Sequence, residues 1–136
     1  MAVLADTGFL FALLDQDDSH HQDTVQFLKE CREALIVPAV VLPEVCYLAH
    51  KYLGPEAEAA FLESLLRGEL PLDWGETVDL SRALEILRKR PEFGMVDAAV
   101  MAVAERLRIR RIATFDRRHF GSFAPALWPS FELLPS

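Results

Sequence analysis

Four carboxylates stand where a sequence building only a core would not put them. Asp6 follows the apolar run Ala2-Val3-Leu4-Ala5, and Asp116 follows Arg111-Ile112-Ala113-Thr114-Phe115. Both runs read as buried strands, so each aspartate stands at a strand's carboxyl end. Glu44 falls at the start of a helical stretch, Val40 to Leu53, in which Pro43 is tolerable only within the first turn. Asp97 sits between Val96 and Ala98, at the head of a nearly continuous apolar run. A carboxylate in such surroundings loses water and needs a donor or a cation. Each acid also has an ordinary use. Asp6-Thr7 and Asp97 could cap helices, Asp116 could open a turn, and Glu44 could pair with a Lys or Arg. The combination is harder to explain that way. If the two helix starts face the same edge as the two strand ends, all four acids converge.

Converging carboxylates repel, so some of their pKa values rise and they titrate as a coupled set. A divalent cation removes the conflict. An oxygen-only donor set, with no paired Cys or His, points to Mg²⁺ or Mn²⁺ rather than zinc. Such an ion lowers the pKa of water and neutralises charge developing on a phosphate. The other polar and aromatic candidates read as structural. His20 and His21 are loop or helix-start contacts, and His119 beside Asp116 could touch a phosphate, although Phe120 next to it favours packing. Trp74 could also stack on a base but reads more readily as a residue of a sheet edge or of an interface between copies. Trp128 offers a ring on which a base could stack.

The elements that must carry these acids alternate. Strands are expected at Ala2–Ala5, Leu35–Val37, 111–115 and Phe131–Leu134, with a weak edge strand around Leu70–Trp74. Helices are expected at Phe9–Leu14, from an N-cap at Ser19 to Glu33, at Val40–Leu53 and at Glu56–Arg67, the last with Phe61, Leu62, Leu65 and Leu66 inward. Two more run from Thr77 or Asp79 to Lys89 and from Val96 to Leu107. This order predicts an α/β protein: a three-layer α/β/α sandwich with a central, mainly parallel sheet, built as one domain over residues 1–136.

With 51% hydrophobic and 26% charged residues the 136-residue chain is expected to be ordered and globular. Its longest apolar run, Ala34 to Pro43, is too short to span a bilayer. The first fourteen residues lack Lys and Arg and are broken by Asp6, unlike a secretory signal. Cys31 and Cys46 form no disulfide framework and no zinc spacing, which favours a reducing, cytoplasmic location. The net charge of −7 excludes passive coating of nucleic acid. Between Arg82 and Arg118, however, ten basic residues face five acidic ones, a local charge of +5 that leaves −12 elsewhere. Within that stretch Arg117 and Arg118 adjoin Asp116, where they could hold a phosphate backbone against an acidic centre. Taken one at a time, these arginines read more readily as solvated helix faces.

The opening 1–15, with Asp18-Ser19-His20-His21 after it, resembles the start of PIN-domain proteins. Val37-Pro38-Ala39-Val40-Val41-Leu42-Pro43-Glu44-Val45 is similar to the second segment of that family. The stretches 96–105 and 114–120 are similar to its third and fourth, in the family's order and spacing. The short form is most similar to VapC-type toxins of toxin–antitoxin pairs. The resemblance implies a Mg²⁺- or Mn²⁺-dependent ribonuclease leaving 5′-phosphate and 3′-hydroxyl ends. It implies metal ligation by Asp6, Asp97 and Asp116, with Glu44 as ligand or water-orienting base and Thr114 orienting the acids. It also implies an RNA substrate, a homodimer, and an antitoxin partner whose C-terminal segment blocks the cleft. Two alternatives remain at this point. A non-catalytic PIN-like binding module would keep the acids for structural reasons. A phosphatase using Asp6 as nucleophile commonly wants a second acid two residues on, where this chain has Gly8.

Overall fold

Strand β1 (Ala2–Ala5) is apolar throughout and takes the centre of a five-stranded sheet, with Val3, Leu4 and Ala5 fully buried. The computed structural model describes residues 1–136. β2 (Ala34–Pro38) and β4 (Arg111–Ala113) flank β1, and β3 (Leu72–Asp73) and β5 (Glu132–Leu134) form the edges, in the order β3-β2-β1-β4-β5. Every pairing is parallel, including the edges, so the sheet is wholly rather than mainly parallel. Pro71, which has no N–H to give a ladder, precedes the edge strand β3, as its chemistry requires.

Parallel neighbours need crossovers, and helices supply them. α1 (Thr7–Leu14) and α2 (His21–Glu30) join β1 to β2; α3 (Leu42–Leu53) and α4 (Pro55–Leu66) join β2 to β3. α5 (Thr77–Lys89) and α6 (Gly94–Leu107) lead back from β3 to β4, and α7 (Arg117–Ser122) leads on to β5. Right-handed crossovers put α1 to α4 on one face and α5 to α7 on the other, giving three layers. Packing follows this division: α3 rests on α1 and α4, and α6 on α5 and α7. The strand order reverses between β1 and β4, and in such sheets the crevice at the reversal opens at the carboxyl ends. A single cluster of 26 buried residues fills the space between the layers, including the whole run Ala98–Ala104 of α6.

Several boundaries differ from the sequence expectation for identifiable reasons. α2 begins at His21, not after Ser19, because the Asp18 carboxylate accepts the His20 N–H at 2.8 Å and the Asp18 carbonyl accepts that of His21 at 3.0 Å. The stretch from Val40 opens with a 3₁₀ turn, Ala39–Val41, before α3 begins with Pro43 in its first turn. In α4, Phe61 and Leu65 are buried four residues apart, but Leu62 and Leu66 are exposed, Leu66 at 89%. The inward stripe of that helix is therefore one residue wide per turn, not two. β4 ends at Ala113, so Thr114 and Phe115 belong to the turn that carries Asp116.

Four of the ten basic residues of that stretch, Arg82, Arg90, Arg106 and Arg111, are engaged in ion pairs, most of which join elements. Arg82 on α5 bonds Glu105 on α6 at 2.6 Å, and Arg106 on α6 bonds Asp73 of β3 at 2.6 Å and Asp79 of α5 at 2.8 Å. Arg111 pairs with Glu33 and Glu132, and Arg90 with Glu92. Asp79 is buried and also accepts the Glu76 N–H as part of the box capping α5. Arg106→Met keeps the aliphatic stem but leaves that carboxylate without a cation. It is expected to cost about 3 kcal/mol in urea-induced unfolding. A loss below about 0.5 kcal/mol would show that the pairing contributes no more than a surface salt bridge.

Candidate active site

Asp6 is the first residue beyond β1. Its N–H still donates to the Ala113 carbonyl at 3.0 Å, and its carbonyl accepts the Leu10 N–H at 3.1 Å, so one residue ends the strand and starts α1. Its side chain does not cap that helix. It turns to Thr114, whose fully buried hydroxyl donates to Asp6 Oδ2 at 2.8 Å. The same oxygen of Thr114 accepts the Asp116 N–H at 2.9 Å. Thr114 thus locks two carboxylate-bearing turns, from adjacent strands, to each other. Burial pushes the Asp6 carboxyl up to about 6. The Thr114 hydroxyl and the Thr7 amide oppose that rise, and the negative charges of Asp97 and Asp116 add to it.

Asp97 is not an N-cap, because α6 begins three residues earlier at Gly94. It lies in the first turn, half-buried, with Oδ2 2.7 Å from His119 Nδ1. Burial raises its pKa, the His119 hydrogen bond lowers it, and the charges of Asp116 and Glu44 raise it. Asp116 serves two purposes at once. Its Oδ1 accepts the His119 N–H at 3.4 Å and caps α7, while its Oδ2 lies 3.5 Å from His119 Nδ1. Glu44 is exposed in the first turn of α3, where Thr7 at the start of α1 donates its hydroxyl to Oε1 at 2.8 Å. Asp6, Asp97 and Asp116 are therefore gathered at the carboxyl edge of β1 and β4, with Glu44 held at the rim and near enough to act on Asp97.

Donor atoms of Asp97, Asp116 and His119 all lie within 4.8 Å of one another, a spacing that can hold a metal ion. The raised carboxyls of Asp6 and Asp97, desolvated and beside other acids, are the electrostatic counterpart of such a site, since a divalent cation would relieve both costs. The residues present fit a hard divalent cation. His119 is the member sequence reasoning missed. Its ring does pack, tilted against Phe93 at 5.1 Å, but Nδ1 faces the carboxylates. The spacing of Asp116 and His119, three residues apart at a helix start, was the available signal. Thr7, the partner of Glu44, was visible only as a capping residue.

The two arginines after Asp116 diverge. Arg117 is exposed and donates one guanidinium N–H to the Pro135 carbonyl of the C-terminal segment. Arg118 is exposed, with no side-chain partner. His20 stacks on Phe115 at 4.0 Å and His21 bonds the Ala12 carbonyl, both as local contacts. Trp74 is exposed beside edge strand β3, and Trp128 packs on Phe131. A cavity of about 730 Å³ lies beside Phe27, Arg111 and Phe115 and is lined by none of the four acids.

A wholly parallel α/β/α sheet with an acidic centre at the reversal of its strand order defines a class of carboxylate-centred domains. Residues 3–124 match the PIN domain, and the chain belongs to the PIN-domain family. It is 31% identical over 135 residues to Ribonuclease VapC26 of Mycobacterium tuberculosis, across 98% of this chain and all of that protein. Its fold is similar to that of VapC20 of Mycobacterium tuberculosis, a toxin cleaving the sarcin–ricin loop. The TM-score there is 0.79 and the identity 23%, over 85% of this chain and 91% of the other. It is also similar to a chain of VapBC2 from Rickettsia felis bound to a DNA fragment from its promoter. That match has a TM-score of 0.69 and 14% identity, over 98% and 97% of the two chains.

Proposed function

We propose that residues 1–136 act as one PIN nuclease unit, a Mg²⁺- or Mn²⁺-dependent ribonuclease that is the toxin of a VapBC-type pair. The observation that carries this reading is the joining of Asp6 and Asp116 through Thr114, with Asp97 and Glu44 brought to the same edge. The nearly full-length likeness to Ribonuclease VapC26 supports RNA as substrate. Asp6, Asp97 and Asp116 would hold the cation, which when bound supplies a more acidic water and positive charge at the phosphate. Thr114 fixes the angle between Asp6 and Asp116. Thr7 holds Glu44 at the rim, where its free oxygen can accept a proton from water approaching the phosphorus. Burial of Asp6 keeps bulk water from the inner side of the site.

An antitoxin partner and a second copy of the chain have surface available to them. Tyr47 and Tyr52 of α3, Leu66 of α4 and Trp74 are exposed apolar side chains. Incubation of the purified chain with cellular RNA and Mn²⁺ tests the proposal. New 5′-phosphate ends at discrete positions are expected, and RNA left intact would contradict it.

Arg117 has one donor engaged by Pro135 and Arg118 has none engaged, so the larger contact to neighbouring phosphates is assigned to Arg118. One phosphate contact contributes about 0.7 to the logarithmic salt slope for single-stranded nucleic acid. Arg118→Ala is expected to weaken RNA binding and reduce the slope by about that amount. Arg117→Ala should have the smaller effect on the slope. Binding measured over a range of salt, on a catalytically inactive background, separates the two; equal effects would reject the assignment.

A further inference from the structure

We infer that His119 is itself a ligand of the cation, its Nδ1 joining Asp97 and Asp116, and that the site therefore prefers Mn²⁺ to Mg²⁺. The inference rests on the proposed reading of the site as a cation centre.

His119 is placed from three directions. Its backbone N–H is held by the Asp116 carboxylate, which fixes the first turn of α7. Phe120 beside it is fully buried and anchors that turn to the core. The Phe93 ring packs tilted against the imidazole, with centroids 5.1 Å apart. Nδ1 is left pointing at Asp97 Oδ2, 2.7 Å away, and Asp116 Oδ2, 3.5 Å away. Adjacent ligands of an octahedral ion with bonds of about 2.1 Å lie about 3 Å apart. The two separations from Nδ1 bracket that value, and ligand atoms of all three residues lie within 4.8 Å of one another, so one ion could be shared among them. The other histidines are engaged elsewhere: His20 on Phe115, His21 on the Ala12 carbonyl and His50 on Glu58.

The choice of cation follows from the nitrogen. Mg²⁺ takes oxygen ligands and gives up its waters reluctantly, so an imidazole adds little to its binding. Mn²⁺ has the same charge, accepts oxygen readily and stands closer to the metals that imidazole suits. Four carboxylates alone would not separate the two ions in this way.

Mn²⁺ alone, added to the chelator-stripped full chain, is the probe. Pulsed electron paramagnetic resonance should show ¹⁴N coupling from a directly bound imidazole, converted to ¹⁵N coupling when histidine is ¹⁵N-labelled. Calorimetric titration should show Mn²⁺ binding more tightly than Mg²⁺. His119→Gln should remove the coupling and weaken Mn²⁺ at least about tenfold, with a much smaller effect on Mg²⁺. Because the ring also packs on Phe93, that variant could misfold; the labelled wild-type spectrum then decides without it. Bound Mn²⁺ with no nitrogen coupling would overturn the inference and leave the cation centre standing. Coupling that survives in folded His119→Gln would also overturn it. Absence of any Mn²⁺ binding would overturn the inference and the cation centre together.

Discussion

Asp97→Asn is expected to lower RNA cleavage by roughly a thousandfold or more, about 4 kcal/mol of transition-state stabilisation. The substitution is nearly isosteric. Its side-chain oxygen can still accept from His119 Nδ1, so the hydrogen bond that positions the α7 turn survives. What disappears is a negative charge in a half-buried position, between Asp116 and Glu44, where the charged form is already disfavoured. The folded state should therefore be at least as stable as the wild type without metal, and any loss of activity cannot be assigned to unfolding. Single-turnover cleavage, set beside a thermal melt, measures both. Cleavage within tenfold of wild type would remove Asp97 from the site.

Asp6→Asn is expected to abolish cleavage and to stabilise the metal-free protein. In the folded chain burial raises the Asp6 carboxyl from 3.8 to about 6. The folded state then binds this proton more tightly than the unfolded state does. Asp6 therefore favours folding most below about pH 4; that contribution is lost as pH rises through about 6 and stays lost above it. A shift of about two units corresponds to about 3 kcal/mol. Asparagine keeps an acceptor for the Thr114 hydroxyl and carries no charge. It should gain about 2 kcal/mol at pH 7.5, and the gain should vanish near pH 4. Urea unfolding in chelator across this range checks the sign. No gain at pH 7.5, or a gain that does not change with pH, would show that the buried charge of Asp6 is not what costs stability. The same trade of stability for function would explain why a buried carboxylate is kept at all.

The four acids were legible in the sequence because a charged residue at the end of an apolar run breaks a pattern that is otherwise local. The alternation of strands and helices, and hence the parallel sheet, was legible for the same reason. His119 was not, because the partner that redirects its ring is Asp97, 22 residues away, and only the packing of α7 on α6 brings them together. The charge excess from Arg82 to Arg118 could be counted but not interpreted. Its pairs, Arg82 with Glu105 and Arg106 with Asp79, join residues 23 and 27 positions apart. The inward stripe of α4 was misjudged for a related reason. Leu62 and Leu66 are as apolar as Leu65, and nothing in composition says which flank of a helix a neighbour will cover.

The central claim is that this carboxylate edge is a cation-dependent ribonuclease site. It is tested most directly by cleavage of end-labelled RNA with the chelator-stripped chain, titrated with Mn²⁺. No cutting is expected in chelator, with discrete cuts returning saturably as Mn²⁺ is added and none at any concentration with Asp97→Asn. Cutting at full rate in chelator, or by Asp97→Asn at the wild-type rate, would contradict the account.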